Sequence, residues 1–146
     1  MRTLSSLCLV VVMLCLASGQ PREAANPAPS SHFPLEAVKA DAIQWVSAAP
    51  SIRGYTAVKP TGSMLPLFGS NAILLIERVT GRDLSVGDIA IYDDLNGGYI
   101  CHRVREVNER GAAIFTGDNN AGTASDGWIT ADRIRWRVAG ILYGSR

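Results

Sequence analysis

Asp88-Ile89-Ala90-Ile91-Tyr92, then Asn96-Gly97-Gly98, then Tyr99-Ile100-Cys101-His102-Arg103-Val104-Arg105-Glu106-Val107 is the stretch that decides the fold. Two runs of β-branched and aromatic residues flank an Asn-Gly pair, which tolerates the positive φ of a tight hairpin connection. Similar short runs lie outward at Tyr55–Lys59, Ala72–Glu77, Ala112–Thr116 and Trp136–Tyr143. Turn residues separate them at Thr80-Gly81-Arg82-Asp83 and Glu109-Arg110-Gly111. Within the second run, Ile73-Leu74-Leu75-Ile76 reads as core rather than as a lip touching a membrane. Toward the N-terminus, Leu35, Val38, Ala42 and Trp45/Val46 recur near helical spacing, which predicts a helix over Leu35–Ser47. Pro34 suits its first turn and Pro50 ends it. The expected fold is mostly β, a β-rich α+β domain with one N-terminal helix.

Composition narrows the function. The chain has 146 residues, 14 basic and 13 acidic side chains and a net charge of +1. That length allows one compact domain, and 47% apolar against 18% charged residues can build its core. Near-neutral charge offers no basic stripe for nucleic acid. Three cysteines and two histidines are too few for a zinc module, and neither a metal nor a cofactor is expected.

Ahead of the helix, Met1-Arg2 precede an unbroken apolar run, Leu7–Ala17, which is short of the roughly 20 residues of a membrane span and suits a leader core. Ala17-Ser18-Gly19 supplies small residues for removal before Gln20. The expected organisation is a signal peptide or short anchor over 1–19, a Pro/Ala/Ser linker over 20–33 and a folded domain over 34–146. Export is the expected location, and Cys101 is the one cysteine beyond the leader.

Three islands interrupt the strands. Lys59-Pro60-Thr61-Gly62-Ser63-Met64-Leu65-Pro66 has a glycine beside a serine between stiffening prolines, a turn able to present a hydroxyl. Cys101-His102-Arg103-Val104 carries the one histidine of the folded part, since His32 falls in the linker. Thr116-Gly117-Asp118-Asn119-Asn120 closes a strand, with Ser125-Asp126-Gly127-Trp128 after it. Each alone reads as ordinary turn or strand chemistry. Together a serine, an imidazole to take its proton and a carboxylate to orient that imidazole are the parts of nucleophilic catalysis.

Gly62-Ser63-Met64-Leu65-Pro66, Gly87-Asp88-Ile89, His102-Arg103-Val104 and Gly117-Asp118-Asn119-Asn120 follow the box order of type I signal peptidases, and the chain resembles that family from about Tyr55 to Tyr143. The resemblance implies the coiled antiparallel catalytic fold shared with LexA-type repressors, with Ser63 as nucleophile. Members divide by their base, lysine or histidine. Here the base position holds His102, as in endoplasmic-reticulum and archaeal members, and no lysine follows Ser63; the chain's two are Lys39 and Lys59. The resemblance further implies His102 as general base, Asp126 as its favoured partner, Asp118 as a tie on the site loop, and Thr61 with the Ser63 N–H as oxyanion donors. Gly127-Trp128 depart from the small residue or aspartate and arginine usual after the second aspartate.

The resulting expectation is an exported serine endopeptidase that cleaves after small residues. Its partners would be a polypeptide substrate and a membrane surface or membrane protein, with no nucleic acid. A histidine base predicts activity rising through roughly pH 6–7, where free imidazole loses its proton. The alternative is an inactive relative that holds peptides along a β edge. LexA-style self-cleavage is the third reading, against which no Ala-Gly or Cys-Gly bond precedes Ser63.

Overall fold

Val38 and Ala42 face inward from α1 (Leu35–Ala48) onto Ile73, Leu75 and Leu142, which together form one of three apolar clusters. Pro34 is extended ahead of the helix, as proline's missing N–H allows at a helix start. The structure, a computed structural model, describes residues 29–59, 61–120 and 124–145. The expected leader and residues 20–28 of the expected linker lie outside the described residues, as do Pro60, 121–123 and Arg146. Within the expected linker, residues 29–33 run against the end of the last strand: Asn71 Nδ2 donates to Pro29 O and Gly144 O, and Ser31 N donates to Gly144 O.

The domain is mostly β, a curled seven-stranded antiparallel sheet with one helix. Its strands are β1 (Gly54–Ala57), β2 (Ala72–Arg78), β3 (Ile89–Asp93), β4 (Tyr99–Val107), β5 (Ala113–Thr116), β6 (Trp128–Ile129) and β7 (Ile134–Tyr143). They lie in the order β1-β2-β7-β3-β4-β5-β6. The last strand in sequence is therefore an interior one, seated between β2 and β3. Register shifts at Leu75/Ile76, Ile91/Tyr92 and Val104/Glu106 bend the strands, and such bulges increase local twist and curl a sheet.

Burial explains the sequence pattern. Ala72 to Ile76 is an unbroken apolar run because both faces of β2 are covered. Ile73 and Leu75 meet the helix, while Ala72, Leu74 and Ile76 meet Met64, Phe68 and Ile91. On the far half of the sheet Tyr92, Val104, Phe115, Ile129 and Ile134 form the third cluster. The Asn96-Gly97 signal falls within a five-residue loop rather than a two-residue one, with Gly97 at φ 82° and Asp94 N donating to Gly98 O. Strand β6 and the 3-10 turns Gly81–Asp83 and Ala131–Arg133 were not expected. No helix among the described residues is long and apolar enough to cross a membrane.

Candidate active site

Ser63 lies between β1 and β2, on a loop turned sharply by Gly62 at φ 72°. A side chain at that position would be strained in the left-handed region, which glycine adopts freely. The loop is held from the opposite half of the sheet. Asn119 N donates to Ser63 O at 2.8 Å, and Asn119 Nδ2 donates to Gly62 O at 3.1 Å. Gly117 permits this approach, since a Cβ there would stand 2.7 Å from Ser63 O.

His102 sits on β4 opposite Ala90 of β3, and its side chain is only 10% exposed. Its Nδ1 lies 2.6 Å from Asp126 Oδ2. Asp126 is brought there by the chain's return past β5, where its N–H donates to Phe115 O at 2.9 Å. The same Oδ2 accepts the Tyr92 hydroxyl at 2.7 Å. Burial, and then the hydrogen bond and charge of Asp126, hold the Tyr92 hydroxyl far above its ordinary range. It therefore stays a donor.

Asp118 is engaged elsewhere. Arg103 clamps it with Nε at 2.8 Å and a terminal nitrogen at 2.6 Å, and Arg105 adds a longer contact. Arg103 also donates to Gly87 O at 2.8 Å, tying the loop before β3 to the loop after β5. A two-pronged Arg–carboxylate pair fixes direction as well as distance. This clamp holds the segment whose next residue, Asn119, holds Ser63.

Thr61, Ser63 and His102 line one cavity of about 810 Å³. Its walls include Tyr55, Met64, Cys101, Tyr99 and Trp136, the last two packed edge-on with ring centroids 5.2 Å apart. The Ser63 hydroxyl lies 3.4 Å from Thr61 Oγ1, and among the described residues no hydrogen bond joins it to His102. Catalytic hydrogen bonds are commonly loose in free enzymes and tighten around substrate. The Ser63 N–H has no acceptor among the described residues, leaving it available to an incoming oxygen. Ser63 and His102 thus border one cavity, and Asp126 meets the imidazole from outside its lining. Among the described residues no group of three or more His, Cys, Asp and Glu side chains could hold a metal ion.

The sequence reading named Ser63, His102, Asp126, Asp118 and Thr61, and did not single out Tyr92, Asn119 or the arginines that hold Asp118. Tyr92 ends an apolar strand run and reads there as core, which it also is. Asn119 stood within a quoted motif as ordinary turn chemistry. No family model, curated protein sequence or solved structure matches the chain.

Proposed function

We propose that this chain is an exported serine endopeptidase of the signal-peptidase kind, cleaving polypeptides after small residues. The observation that carries the reading is the 2.6 Å contact of Asp126 with His102 Nδ1 at the wall of the cavity that also holds Ser63. A carboxylate on Nδ1 favours the tautomer that keeps its proton there and leaves Nε2 as the base. In the proposed cycle the Ser63 hydroxyl attacks the scissile carbonyl while its proton passes to His102. The Ser63 N–H and the Thr61 hydroxyl receive the oxyanion, and one such donor is typically worth about 10²–10³ in rate. The imidazolium returns the proton to the departing amine. Water, deprotonated by the same imidazole, then hydrolyses the acyl-serine and regenerates the hydroxyl. A membrane surface or membrane protein is the proposed setting, without nucleic acid, metal or cofactor.

Purified protein, with and without detergent, incubated with an Ala-x-Ala peptide and read by mass spectrometry, should cut after the second alanine. Ser63→Ala and His102→Ala should each abolish cutting, and full activity in Ser63→Ala would overturn the reading. The pairing of the Ser63 hydroxyl with Thr61 rather than His102 favours a second reading, an inactive peptide-binding relative with β1 as the edge that receives the peptide. Binding by a folded wild type without any turnover would select it.

A further inference from the structure

Asp126 Oδ2 takes two donors at once, His102 Nδ1 at 2.6 Å and the Tyr92 hydroxyl at 2.7 Å. The catalytic cycle above makes no use of Tyr92. Its ring is 1% exposed and packs on Phe115 at 4.7 Å between centroids. Phenylalanine would fill that space without a buried hydroxyl in need of a partner.

We propose that Tyr92 is a positioning residue of the site: its hydroxyl holds the Asp126 carboxylate toward the imidazole and draws off part of its charge, setting the pH at which His102 becomes a free base. This rests on the reading of His102 as the base.

The register places the two donors side by side. Ala90 opposes His102 and Tyr92 opposes Ile100, so Tyr92 and His102 share one face of adjacent strands and converge on the carboxylate. The Asp126 backbone is fixed to Phe115 O, and the phenol fixes the side chain that remains. Other charged or titratable groups around the trio are Arg133 and Asp94 beside the phenol, Cys101 and Arg103 on either side of His102 in β4, and Lys59, Tyr55 and Tyr99 on the cavity wall. The Arg133 guanidinium stands 6.0 Å from the Tyr92 ring centroid and donates to Asp93 O. A hydroxyl donating to a carboxylate spreads its negative charge. Without that donor more of the charge faces His102, the imidazolium is favoured, and the proton is held to higher pH.

Tyr92→Phe keeps the ring and removes only the donor. The expected result is a severalfold fall in kcat with KM unchanged, and an acidic limb of the pH–rate profile moved upward by roughly half a pH unit. An NMR titration of His102, assigned against His32 with His102→Ala, should show the same upward displacement and needs no turnover. An inactive wild type would thus defeat the proposed function and leave this test standing. An unmoved His102 titration in folded Tyr92→Phe overturns the proposal. In an Asp126→Asn background Tyr92→Phe should move nothing further, and a displacement that survives there also overturns it. If Tyr92→Phe does not fold, 3-fluorotyrosine, a stronger donor, must lower the pH of the His102 titration, and no movement overturns the proposal.

Discussion

Cys101 adjoins His102 in β4, and alternation sends the two side chains to opposite faces. Its thiol packs among Met64, Ile91 and Trp136, and burial pushes it up to about 12. An unfolded thiol ionises near pH 8.5. As pH rises the unfolded chain therefore loses this proton first, and stability falls above about pH 8.5. The urea midpoint should drop between pH 8 and about 10, below the tyrosine range, and Cys101→Ala should flatten that drop; an equal slope in the variant would contradict the assignment. At this scale the sequence pointed to candidate residues wherever they sat in a short motif, as at Gly62-Ser63 and His102-Arg103. It was silent on which carboxylate meets the imidazole in space, because that depends on how the chain returns past Phe115. It was also silent on Tyr92, whose hydroxyl gains meaning only beside Asp126.

The loop after β5 is a strut as well as a turn. Gly117 lets the backbone pass against Ser63, and an added Cβ would meet Ser63 O at 2.7 Å and Asn120 Oδ1 at 2.9 Å. The asparagine side chain can swing aside, but the serine carbonyl belongs to a loop pinned by Asn119. Gly117→Ala should displace Ser63, and displacements of about 1 Å typically cost about 100-fold in rate. A peptide-cleavage assay showing wild-type kcat/KM in that variant would sink this account. Elements with sustained alternation or helical spacing were legible nearly to their ends: α1 was read over Leu35–Ser47 and spans Leu35–Ala48. Strand β6, two residues long, has no period to detect. Strand β7 begins earlier than the apolar pattern suggested because Ile134 pairs with Tyr92 across a bulge.

The clusters on either side of β7 carry the stability of the whole molecule. Phe115 is fully buried against the Tyr92 ring, and truncating such a side chain leaves a cavity. Phe115→Ala should lower unfolding free energy by about 3–5 kcal/mol, measured by urea titration; a loss below about 1 kcal/mol would show that this half of the sheet collapses around the gap. Strand order was beyond the sequence's reach, because local alternation identifies strands and says nothing of which distant strand each will pair with. That order also governs when the molecule becomes whole. On a ribosome, β7 emerges after the other six strands, yet it is the seam between β2 and β3. Until it threads into place the half carrying the Ser63 loop and the half bearing His102 have no continuous hydrogen-bonded ladder between them. Through that ladder the two halves of the sheet become one, with the bonds of Asn119 to Gly62 and Ser63 as a second tie between them.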